Sequence, residues 1–219
     1  MKIRSIAGCW LILFCFFLLS TPQAGRAQKV ENQEIFSPKE MNKRWETFST
    51  DKAFLVLLKE VRAKGFTRKK DPKASWGFKG TAVSEKGEKD DALFCIFDLE
   101  KKGSKETCSM IWGRKGKIAY KAYLVIPEGK GLENANEWYV DEKNTVQKAN
   151  SWKTCVLREL PRICGPFCAG AVPACAVAAG ATIGATGGIG AITSPGVFLG
   201  CLAAACGGCV GFISLLCLG

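Results

Sequence analysis

In "DKAFLVLLKEVRAKG" the apolar residues Phe54, Leu57, Leu58 and Val61 fall at i, i+3, i+4 and i+7. That spacing makes one stripe facing a core, while Lys52, Lys59, Glu60, Arg62 and Lys64 take most of the remaining surface. The pattern predicts a helix from Asp51 to Lys64, stopped by Gly65. Just upstream, "SPKEMNKRW" reads as a helix start: Ser37 is the N-cap, Pro38 the first helical position, and Glu40 completes a Ser-x-x-Glu capping box. Beyond "RKKDPKAS" the period shortens to that of strands. Four are predicted, near "WGFKGTAV" (76–83), "ALFCIFDL" (92–99), "TCSMIWGR" (107–114) and "KIAYKAYLVI" (117–126), with turns at "EKGEKDD", "EKKGSK" and "RKGK". The expectation is an α+β domain, amino-terminal helices followed by an antiparallel β meander. Cys95 and Cys108 sit at similar distances from the "KKGS" turn, which predicts a disulfide between neighbouring strands.

The alternation of apolar and charged positions then ends. From Gly165 to Gly219 there is no Asp, Glu, Lys or Arg, and 13 residues are glycine. Two uncharged segments flank "TSP" (193–195). The second, "GVFLGCLAAACGGCVGFISLLCLG", has 24 residues, long enough to span a bilayer as a helix. Gly180, Gly184 and Gly188 recur every fourth residue, the spacing that lets helices approach closely in lipid, and Gly196/Gly200 and Gly207/Gly211 repeat it. On a helical wheel Cys164, Cys168 and Cys175 fall within about 40° of one another, and Cys201, Cys206, Cys209 and Cys217 within about 160°. A helical hairpin turning near residues 186–188 brings these rows together. One nested ladder then uses every tail cysteine: Cys175–Cys201, Cys168–Cys206, Cys164–Cys209 and Cys155–Cys217. Pairs of neighbours on one arm, such as Cys206–Cys209, are the competing arrangement.

Charge divides the chain in the same place. The net charge is +11. Beyond Cys155 the only charged residues are Arg158, Glu159 and Arg162, so nearly all charge of both signs lies between Gln28 and Thr154. The first 27 residues read as a secretory signal: Lys2 and Arg4 precede "IAGCWLILFCFFLL", and small residues set a cleavage between Ala27 and Gln28. A retained anchor is the rival reading. A lipobox at Ile6–Cys9 is discounted, because it precedes the apolar run. The segments expected are therefore a signal peptide (1–27), an α+β domain (28–150) and a cysteine-rich apolar peptide (151–219).

Export makes an even cysteine count read as a disulfide framework. Cys9 and Cys15 belong to the signal, Cys95 and Cys108 to the middle, and eight cysteines to the tail. Zinc at Cys206-Gly-Gly-Cys209 is disfavoured, with no acidic residue or histidine nearby. A proteolytic cut before Cys155, after Lys148 or Lys153, keeps all eight tail cysteines together, whereas one after Arg158 or Arg162 leaves an odd number. The rival is that "EKNTVQKANSWK" is only a linker.

The search for catalysis returns nothing. The absence of histidine removes Ser-His and Cys-His nucleophile systems. Glu88, Asp90 and Asp91 read as a solvated turn, and the glycine run at 180–190 has no lysine to reach a phosphate. No enzyme, metal or cofactor is expected. The basic run at 68–70 beside Trp76 suits anionic surfaces or solubility better than nucleic acid in an exported protein.

The last 65 or so residues, with "CGPFC" and "CLAAACGGCVG", resemble the carboxyl-terminal peptides of halocin-type bacteriocin precursors, those of the cysteine-rich microhalocin kind. The resemblance implies an export signal, a globular amino-terminal portion that binds the peptide and confers immunity, and a tail released by proteolysis. Two departures stand out. "MKIRSIAGCW" has no twin-arginine pair, which fits general secretion, and the middle domain is basic where haloarchaeal proteins are acidic. The leading expectation is a secreted precursor of a disulfide-stapled antimicrobial peptide. Its partners are signal peptidase, a maturation protease and the target-cell membrane, and its amino-terminal domain contacts and shields the tail. The alternative is an extracytoplasmic α+β domain held on the outer side of the membrane by a glycine-zipper hairpin.

Overall fold

The computed structural model describes residues 29–84, 86–164, 171–179, 194–206 and 208–218. The strands are β1 (Lys29–Ile35), β2 (Phe66–Arg68), β3 (Ser75–Val83), β4 (Lys89–Lys101), β5 (Thr107–Lys115), β6 (Ile118–Ile126), β7 (Asn136–Val140) and β8 (Val146–Ala149). The helices are α1 (Pro38–Phe48), α2 (Lys52–Ala63), α3 (Trp152–Ile163), α4 (Ala171–Ala178), α5 (Pro195–Cys206) and α6 (Gly208–Leu216). The eight strands form one antiparallel sheet in the order β1-β3-β4-β5-β6-β7-β8, with β2 pairing the far end of β4. An α+β architecture followed by a disulfide-bearing helical tail is thus what the chain adopts.

The local signals act as their chemistry requires. Ser37 accepts from the Glu40 amide while the Glu40 carboxylate accepts from the Ser37 amide, so the capping box starts α1. Asp51 caps α2 through the Phe54 amide, and Gly65 leaves the helix at φ 85°, a conformation that favours glycine.

Strand β4 has both faces buried from Ala92 to Leu99. Leu93, Cys95, Phe97 and Leu99 face α1 and α2, joining Phe48, Phe54, Leu57 and Val61 in one core. Ala92, Phe94 and Ile96 face the other way, into a second core built with Trp152, Phe198, Leu202, Ile213 and Leu218. The tail is therefore the third layer of a helix–sheet–helix stack, with α5 lying on β3 and β4 and α6 on β1, β4 and β5. Helix α6 is apolar around its circumference because it is buried around its circumference.

Two expectations are corrected here. Cys95 and Cys108 are free, buried thiols. Strand β4 runs on to Lys101 before turning, so Cys95 pairs with Trp112 and Cys108 with Leu99. Both thiols face α1 and α2 but are offset by four residues, roughly 13 Å along the strand, beyond the reach of a disulfide. The uncharged second tail segment is two helices, of 12 and 9 residues, rather than one of bilayer length. One helix ends at Cys206 and the next begins at Gly208, at a Gly-Gly pair of weak helix formers. Among the described residues no helix is long and apolar enough to cross a membrane.

Candidate functional site at the sheet–tail interface

The interface is built around two carboxylates that the sheet places against helix starts. In β4 the alternation that sends Phe94 and Ile96 toward the tail sends Asp98 there too, and it is fully buried. Helix α5 begins with Pro195, which has no amide hydrogen to satisfy. The amides of Gly196 and Val197 donate to Asp98 at 3.1 and 3.4 Å, and the Ser109 hydroxyl on β5 donates to it at 2.5 Å. The hydroxyl of Ser194, which precedes α5, accepts from Lys69 Nζ at 3.0 Å. Burial pushes the Asp98 carboxyl above its ordinary range, against the opposing pull of Ser109, Gly196, the Lys69 charge and Val197.

Strand β7 repeats the device. Glu137 is fully buried and accepts from the amides of Trp152 and Lys153, both at 3.1 Å, at the start of α3. Ser151 at that start makes no capping bond of its own to the helix. Tyr120 on β6 donates its hydroxyl to Glu137 at 2.5 Å, and burial raises the Tyr120 phenol well above its usual range. A cleft of about 840 Å³ lined by Tyr120, Lys121, Tyr139, Ser151 and Leu218 borders this corner. Each helix start thus directs its unpaired amides, and the positive end of its dipole, at an acid on the sheet.

Small residues set how closely the layers approach. A Cβ at Gly196 would lie 3.0 Å from the Asp98 carboxylate, and one at Gly200 would lie 3.4 Å from Trp76. At Gly211 it would lie 2.6 Å from the Gln33 amide. These glycines seat sheet side chains; the close approach that their spacing encodes is made to the sheet.

Three disulfides join pairs of described residues and staple the layer. Cys155–Cys217, Cys164–Cys209 and Cys175–Cys201 have Cα separations of 5.6, 5.9 and 5.5 Å. These are three rungs of the nested ladder. Cys206 is also disulfide-bonded, while Cys168, the expected turn at 186–188, and Gly180, Gly184 and Gly188 lie outside the described residues. Ala27 and Gln28 lie outside them as well. Lys148 is exposed on β8. Lys153 is 8% exposed, and its Nζ donates to the carbonyls of Glu133 and Ala135.

Sequence reasoning missed Asp98 and Glu137. The signal was present, since Asp98 is a lone carboxylate in the apolar run "ALFCIFDL", where an unpaired charge is costly. Among the described residues no group of His, Cys, Asp and Glu side chains is placed to hold a metal ion. No family model, curated protein or solved structure matches the chain.

Proposed function

We propose that the chain is a secreted precursor whose sheet domain covers a disulfide-stapled, membrane-active peptide until proteolysis separates the two. The observation that carries this reading is the seating of an apolar tail, uncharged from Gly165 onward, on an apolar sheet face, with both helix starts received by Asp98 and Glu137. Leu199, Leu202, Val210, Phe212, Ile213 and Leu215 are all buried in that position. Uncovered, such side chains each gain about 1.5–3 kcal/mol from any apolar phase that takes them, and a lipid surface is such a phase. The disulfides keep the glycine-rich segment compact when the cover is gone. This is the division of labour that the resemblance to halocin-type precursors implies.

Mass spectrometry of culture fluid from the producing cell tests the proposal. The expected species is a disulfide-bonded fragment that starts shortly before Cys155 and retains eight cysteines. Recovery of only uncut protein across all growth phases overturns it.

A further inference from the structure

The two carboxylates stand apart from the covalent link between the layers. Asp98 holds α5 from a position 98 residues away in sequence, and Glu137 receives α3 from the body of β7. The chain that joins the layers runs through the turn at Glu142–Lys143 and along the short strand β8, whose one neighbour in the sheet is β7. A cut in this stretch removes none of the contacts at either helix start.

We infer that Asp98 and Glu137 form a noncovalent latch that holds the tail on the sheet after the chain between the layers is cut, so that cleavage and release are separate events. The inference rests on the tail being a separable peptide, as proposed above. Undocking leaves each carboxylate without its helix amides and each helix start without its acceptor, on a sheet face that includes Phe94, Ile96 and Ile111. The seating is also specific in shape. Gly196 admits the Asp98 carboxylate and Gly211 admits the Gln33 side chain, so a tail turned or shifted on the sheet meets these groups with side chains instead of notches. The surface therefore fits one class of partner, a largely apolar helical peptide that presents two helix starts and two glycine notches in this arrangement.

The test uses the full chain with a site-specific protease sequence inserted between Glu142 and Lys143, cut and then followed by native size-exclusion over dilution to about 1 μM. The tail is expected to co-elute with the sheet domain after cutting. Asp98→Asn and Glu137→Gln keep side-chain volume but replace one acceptor oxygen with a donor. Each is expected to weaken retention about tenfold or more, while the uncut variants keep wild-type circular dichroism. If either variant does not fold uncut, Gly196→Ala, which crowds the Asp98 carboxylate, is expected to weaken retention in its place. Immediate separation of the cut wild type, or unchanged retention in every variant that folds, overturns the latch. No membrane enters this assay. A latched tail that leaves vesicles intact counts against the proposed function alone, and a membrane-active tail that separates on cutting counts against the latch alone.

Discussion

Leu218, near the chain end, lies so close over Gly113 in β5 that a Cβ built on the glycine would come within 2.4 Å of Leu218 Cδ2. The last turn of the tail is thus fitted to a bare patch of sheet backbone, and Leu218 is buried there. Gly113→Ala is expected to lower stability by about 1–3 kcal/mol through overpacking. Leu218→Ala in the wild-type background is expected to cost about 2–5 kcal/mol, and clearly less when Gly113 is already Ala. Denaturant unfolding of the four proteins in a double-mutant cycle checks this. Strict additivity would mean that the two residues do not touch.

The free thiols give a second check. Cys95 and Cys108 are buried, and burial raises both well above the usual thiol range. An alkylating reagent is expected to leave both unmodified in the native protein and to label both once the protein is unfolded without reductant. Peptide mapping reads the outcome directly. Recovery of a Cys95–Cys108 disulfide contradicts the register of β4 and β5.

Asp98 links docking to pH. Its carboxyl is raised above the ordinary 3.8 chiefly by burial, so the folded protein holds this proton more tightly than the unfolded chain. Its contribution to stability is therefore fullest below about pH 4 and is lost as pH rises through the folded-state value. Comparing the wild type with Asp98→Asn cancels groups common to both. The stability of the wild type relative to the variant is expected to fall as pH rises above the ordinary carboxyl range in thermal melts. A relative stability that rises with pH above that range contradicts the assignment.

Proteolysis distinguishes the two lysines at the junction. Lys148 is exposed on a four-residue strand, whereas Lys153 sits in the first turn of α3 with its ammonium bonded to two backbone carbonyls. Edge strands of this length open locally at low cost. Brief trypsin treatment of native protein is expected to yield cleavage after Lys148 well before cleavage after Lys153. A fragment that begins at Thr154 among the earliest products contradicts the placement of Lys153.

Helices α1 and α2 and the central strands were legible because each carried a local signal: the Ser37–Glu40 box, the Phe54–Val61 stripe, and alternation in "ALFCIFDL" and "TCSMIWGR". The short strands β2, β7 and β8 were not, since three to five residues give too little alternation to read. The pairing of Cys95 failed for a related reason, because register depends on where a turn begins, and β4 continues through the charged residues Glu100 and Lys101. Three disulfide rungs were readable from spacing alone, as antiparallel arms fix a nearly constant sum of partner numbers. The interface was not readable, because an uncharged, glycine-rich segment looks the same whether its apolar surface meets lipid or a sheet. Only the tertiary fold places Gly196 on Asp98 and Gly211 beside Gln33.

The central claim is that the sheet domain conceals a membrane-active tail, and dye release from anionic phospholipid vesicles tests it most directly. Intact oxidised protein is compared with the same protein cut after Lys148, its two parts separated under denaturant and the tail returned to buffer with its disulfides intact. The intact chain is expected to release no more dye than buffer, and the separated tail to release it in proportion to added peptide. Equal leakage from both, or none from the oxidised tail at any concentration, contradicts the claim.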